Sequence, residues 1–173
     1  VTHLATRFGG SLRPRAVSND DVRWIHSVLT PGEADVWEEL GRADRAESVA
    51  VGRRAQQELG VDAGPFVAAA LLHDVGKTGA GLGTVGRSLA TIVAAVAGHD
   101  RARGWARGAI GWRRRVGRYL AHDDAGAAEL RQAGARPEVV EWARIHHRPE
   151  RWTDGTIPPE TCIVLARADG ERT

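Results

Sequence analysis

The chain has 173 residues, 42% hydrophobic and 27% charged, the make-up of an ordinary globular protein with a sizeable core. Its formal charge of +2 and pI of 9.3 give a mild positive field that suits an anionic substrate and is too weak to demand a nucleic-acid partner. The single Cys162 excludes an internal disulfide and a cysteine-based zinc site, and no stretch reaches the ~18–20 apolar residues of a membrane span.

Residues 1–17 show no period and carry Gly9, Gly10 and Pro14, so they read as a loose arm ahead of one helical domain over 18–173. Arg7, Arg13 and Arg15 bracket no long apolar stretch. No secretory leader is read there, and cytoplasm is the expected compartment. Strand formers are sparse while Ala, Arg, Glu and Leu abound, which gives an all-α fold, a helical bundle. A first helix starts after Ser18 or Asn19, with Asp20 and Asp21 at its positive end and a stripe of Val22, Ile25, Val28 and Leu29. His26 beside that stripe reads as a surface or half-buried histidine. Thr30-Pro31-Gly32-Glu33 is a capping box with proline at the first helical position, opening a helix through Val36, Trp37 and Leu40. Gly41 breaks or bends it, and a continuation over 43–59 stops at Gly60.

Pro65 opens the next helix, which ends in Ala68-Ala69-Ala70-Leu71-Leu72-His73-Asp74-Val75-Gly76-Lys77. An apolar helix of this kind belongs in a core, where an unpartnered polar group costs several kcal/mol, of order 2–7. His73 and Asp74 therefore need a partner, and a metal ion is the strongest candidate. Gly76 is expected to let the chain leave the helix at positive φ. Lys77 is the only lysine in a chain that otherwise writes positive charge as arginine. The glycine-rich run 78–84 is not a P-loop, because its lysine precedes the glycines, and it reads as a flexible rim loop.

An apolar helix follows over 85–97 and is expected to end at His99-Asp100-Arg101, a second His-Asp pair read as a solvated helix end. Trp105, Trp112 and Tyr119 recur every seven residues, which predicts one face of one helix, with Arg113, Arg114 and Arg115 solvated between them. A short turn is expected after His122, then a helix to Gly134. Pro137 opens a helix that delivers His146-His147, and Pro149 stops it. Pro158-Pro159 starts the last helix, with apolar face Cys162, Ile163, Leu165 and Ala166, and Asp169 near its end. His73, Asp74, His122, His146 or His147, and Asp169 thus all stand at helix ends after apolar stretches, as the ligands of helix-bundle metal sites do. Mixed imidazole and carboxylate donors suit Mn, Fe, Co, Ni or Zn better than Ca.

The run from Ala69 to Lys77 resembles the signature of the HD-domain metal-dependent phosphohydrolases. Tyr119-Leu120-Ala121-His122 with Gly126-Ala127-Ala128-Glu129-Leu130, the pair His146-His147, and Leu165-Ala166-Arg167-Ala168-Asp169 resemble further parts of that family's pattern. The resemblance covers about 44–170. It implies one or two divalent metals held by His73, Asp74, His122, His146, His147 and Asp169, with Asp74 bridging them and holding the attacking water. Lys77 and Arg148 would face the substrate phosphate, Asp74 and Lys77 acting as catalytic groups on a small phosphorylated metabolite. One departure stands out. Where the family has Asp-Arg-x-His-Ser, this chain has Asp44-Arg45-Ala46-Glu47-Ser48. Glu47 would then ligate in place of histidine and favour a harder ion such as Mn, Fe or Mg, or sit on the surface and leave a module that binds without turnover.

After His146-His147 the chain lacks the Gly-Tyr-Pro of the cyclic-di-GMP branch, and it lacks the acidic pair that alarmone hydrolases carry after His-Asp. A phosphomonoester or nucleotide is the remaining expectation, with no nucleic-acid or membrane partner. A further alternative is a basic interaction protein using residues 105–115 on an anionic surface.

Overall fold

The computed structural model describes residues 16–82 and 84–170, apart from the side chains of residues 80, 84, 85 and 99. Most of the arm expected over 1–17 lies outside the described residues. Those described form an all-α architecture with no strand among them. Ten α-helices run in order: α1 Asn19–Val28, α2 Pro31–Glu38, α3 Arg42–Leu59, α4 Gly64–Leu72, α5 Thr84–Ala97, α6 His99–Gly108, α7 Gly111–Leu120, α8 His122–Gln132, α9 Pro137–Ile145 and α10 Pro159–Asp169. Two 3-10 turns, Val75–Ala80 and Pro149–Arg151, follow α4 and α9.

Capping residues set the early boundaries. Asp21 N donates to Ser18 Oγ at 3.1 Å, and the Thr30 capping box is closed by Thr30 N donating to Glu33 Oε2 at 2.9 Å. Glu33 is also fully buried, and the Arg136 guanidinium at the start of α9 pairs with it at 2.6 Å. One residue thereby closes a helix cap and joins α2 to α9.

The central element is α4. Val67 to Leu72 are all 1% exposed or less, as expected of a helix apolar on every side. It packs against α1, α2, α3, α9 and α10, so its C-terminal end delivers His73 and Asp74 into the middle of the molecule. Around it lies the larger core, which includes Ile25, Trp37, Val51, Leu71, Leu130, Trp142 and Leu165. A second, separate cluster of Leu82, Ala90, Ala94, Ala102, Val116 and Leu120 holds α5, α6 and α7 together.

Several local expectations are corrected. Gly76 is not at positive φ; the left-handed position is Gly81, at φ 65°. Gly76 serves close approach instead: a Cβ there would run into the backbone oxygen of His122 and lie 2.6 Å from Gly126 N. The first three residues of the expected rim loop, 78–80, belong to the 3-10 turn Val75–Ala80. Gly98, at φ 87°, ends α5, so His99 opens a helix rather than closing one; its side chain lies outside the described residues. Trp105 sits on α6 while Trp112 and Tyr119 sit on α7, because the chain turns between Gly108 and Gly111. The seven-residue spacing is therefore split across a hairpin. Trp105 and Tyr119 pack on the second cluster, whereas Trp112 is 43% exposed. His122 begins α8, with the turn before it, and Ile163 points outward from α10.

Candidate metal centre

Each of three imidazoles is oriented by the backbone of the turn before it. His73 Nδ1–H donates to the Ala70 carbonyl at 2.9 Å, His122 Nδ1–H to Tyr119 at 2.8 Å, and His146 Nδ1–H to Ala143 at 3.0 Å. His73 and His146 follow the last residues of α4 and α9 and still have helical backbone. Their rings reach back to carbonyls three residues earlier, which the helix end leaves available. Spending Nδ1 in this way turns Nε2 inward, where a neutral ring offers its lone pair.

The three Nε2 atoms converge on Asp74. His122 Nε2 lies 3.3 Å and His146 Nε2 3.6 Å from Oδ1, while His73 Nε2 lies 3.4 Å from Oδ2 and 3.4 Å from Asp169 Oδ1. Lys77 Nζ pairs with Oδ2. The carboxylate thus presents one oxygen to His122 and His146, and the other to His73 and Lys77. His147 is exposed, but one ligand atom from each of Asp74, His122, His146 and His147 falls within 4.8 Å of all the others.

Among the described residues, Asp74 Oδ1 and the Nε2 atoms of His73, His122 and His146 are buried and make no hydrogen bond. With Nδ1 carrying the hydrogen, a neutral ring presents Nε2 as an acceptor, and acceptors facing one another without a positive charge or a donor between them are costly. A positive charge relieves that cost, and the residues present fit a divalent cation. The electrostatics agree. Burial pushes His73 down, but the Asp74 and Asp169 carboxylates outweigh it and raise its pKa to about 9. Burial pushes Asp74 up, yet His73 and Lys77 hold it well below the usual carboxylate range. Burial, reinforced by His73 and His147, drives His146 down to about 4, so its ring is neutral at pH 7. The raised His73 and the lowered Asp74 both mark a point that calls for positive charge, which a proton on His73 supplies at pH 7 and a divalent cation would supply in its place.

The family model described as HD domain matches residues 46–171 of this sequence. The chain belongs to the HD-domain family. Neither the curated proteins nor the solved structures gave a match. HD domains bind divalent metals, and the Asp–His cluster of this one is able to hold such an ion.

Of the other residues singled out in the sequence, Glu47 is an exposed side chain on α3, yet it lines a cavity of about 10 Å³ together with Asp44, His73 and Asp74. That space suits about one water-sized sphere. Arg148 pairs with buried Asp123 at 2.6 Å rather than standing in solvent. His26 is half-exposed and pairs with Glu38 at 3.3 Å, away from the cluster. Sequence reading passed over Asp123, which is 3% exposed and also binds Arg103 at 2.8 Å. The run His122-Asp123-Asp124 was its one available signal. Asp44 likewise holds Arg87 of α5 through two contacts of 2.5 and 3.0 Å, a long-range pairing that no local pattern announces.

Proposed function

We propose that this HD domain is a metal-dependent phosphohydrolase acting on a nucleotide or other small phosphorylated metabolite. What supports this most directly is the convergence of three buried imidazole Nε2 atoms on the Asp74 carboxylate, none of them hydrogen-bonded among the described residues. His122, His146, His147 and Asp74 Oδ1 would hold one ion. His73, Asp169 and Asp74 Oδ2, with Glu47 from α3 in the place of the family's first histidine, would hold a second. When bound, such an ion supplies a water of lowered pKa and a Lewis acid for a phosphoryl oxygen. Asp74 presents its two oxygens to the two halves of the site and keeps their donors in one register. The backbone carbonyls of Ala70, Tyr119 and Ala143 keep the imidazoles turned inward, so little reorganisation is needed on binding. Lys77, raised above the ordinary lysine range because the Asp74 charge outweighs burial, keeps its proton and brings positive charge to where phosphoryl charge develops. Arg148 is held by Asp123 and secures the segment after His147.

The exposure of the Glu47 side chain favours a second reading, a domain that holds one ion and turns over nothing. A panel of phosphomonoesters, phosphodiesters and nucleotides with added Mn decides between the two. Hydrolysis of at least one class, abolished in Asp74→Ala, is the expected result. Bound metal with no turnover across the panel would favour the binding module.

A further inference from the structure

A cleft of about 590 Å³ lies between the α6–α7 hairpin, the start of α8 and the 3-10 turn that carries Lys77. Its lining includes Gly79, Arg103, Gly104, Arg107, Arg118 and Asp124. That volume is in the range of small-ligand sites. Charge within it is not balanced locally. Arg103 is committed to Asp123 and Asp124 at 2.8 and 2.5 Å. Arg107 and Arg118 are exposed at the same cleft with no acidic partner among the described residues, and Asp100, in the first turn of α6, is the one further carboxylate in the lining. Two guanidinium groups therefore face one uncommitted acid.

Gly104 is the second observation. It lies in the interior of α6, where glycine is destabilising relative to alanine. A Cβ there would meet nothing within 4 Å, and its φ is not positive. Gly117 on the facing helix is different, since a Cβ there would lie 2.6 Å from the Trp105 carbonyl carbon. Packing explains Gly117 and does not explain Gly104. A missing side chain in the wall of an arginine-lined cleft leaves backbone open to a ligand.

We propose that this cleft is an anion-binding subsite, holding a phosphate or comparable anionic group of the substrate remote from the scissile phosphoryl group. The inference rests on the hydrolase reading for its account of the substrate, which would carry two separated anionic groups. Arg107 and Arg118 would each donate charge-assisted hydrogen bonds to that second group, and Gly104 would leave room for what joins the two.

The test is calorimetric titration of the full chain with inorganic pyrophosphate. The Arg107→Ala/Arg118→Ala double variant is expected to bind it at least tenfold more weakly, with unchanged metal content. Gly104→Leu, which fills the cleft and removes no charge, is expected to weaken it as well. Asp74→Ala is expected to lose metal and keep pyrophosphate. Unchanged affinity in the double variant, or loss of pyrophosphate in Asp74→Ala while the double variant binds normally, would overturn the subsite. Full metal retention in Asp74→Ala would sink the hydrolase reading and leave the cleft standing.

Discussion

His122 Nε2 lies 3.3 Å from Asp74 Oδ1, while Nδ1 of the same ring is spent on the Tyr119 carbonyl. A histidine so fixed has one free lone pair and one direction to offer it. His122→Ala is therefore expected to weaken metal binding by at least about tenfold. His26→Ala removes a ring that pairs with Glu38, away from the cluster, and should leave metal content unchanged. Elemental analysis of both variants after identical dialysis checks the contrast; equal losses would contradict it.

Gly76 packs the 3-10 turn directly on the first turn of α8, and a Cβ has no space between them. Gly76→Ala is expected to lower stability by about 1–3 kcal/mol through overpacking and to loosen His122 with it. Gly104→Ala, in open space on α6, is expected to raise stability by about 0.5–1 kcal/mol. Urea unfolding of the pair gives both numbers, and a shift of the same sign in both would show that glycine spacing is not what governs them.

Glu33 gives the pH dependence. Burial pushes its pKa up, but hydrogen bonds and charge from Arg136 outweigh burial and hold it below the ordinary value. A depressed carboxylate contributes stability that is present above its unfolded-state value and lost as pH falls through the folded one. Glu33→Gln is expected to cost about 3 kcal/mol at pH 7, at the lower end for breaking a buried pair because Arg136 is partly exposed. The gap to the parent chain should narrow below about pH 4. Unfolding curves at pH 7 and pH 3.5 test this, and a constant gap would contradict it.

Asp123 lies between Arg103 and Arg148, one residue from a candidate ligand. Asp123→Asn keeps the shape and removes the charge. It is expected to cost about 2 kcal/mol, the scale of a hydrogen bond to a charged group, with metal stoichiometry intact. Thermal unfolding with parallel metal analysis separates this role from a ligand role, since loss of bound metal would assign Asp123 to the centre itself.

The helices legible in the sequence were those with local punctuation. Ser18, Thr30, Pro65, Pro137 and Pro159 mark starts, and Gly60 marks a stop, because capping and proline chemistry act within a few residues. Residues 98–122 were misjudged because two hairpin-paired helices kept an aromatic spacing that one continuous helix would also produce. His73 and Asp74 could be read together because they follow an apolar helix that must end in the core, whereas His122 follows the arginine-rich α7 and opens α8. The division of the imidazoles between the two oxygens of Asp74, and the hold of Asp123 on Arg103 and Arg148, depend on how distant helices pack, which no local pattern encodes.

The central claim is that buried acceptors meeting at Asp74 bind a divalent cation. Equilibrium dialysis of the full chain against Mn, followed by elemental analysis of the parent and Asp74→Ala, tests it most directly. At least one equivalent of tightly held metal in the parent and none in the variant is the expected result. A parent chain that retains no metal, or a variant that retains as much as the parent, would contradict the claim.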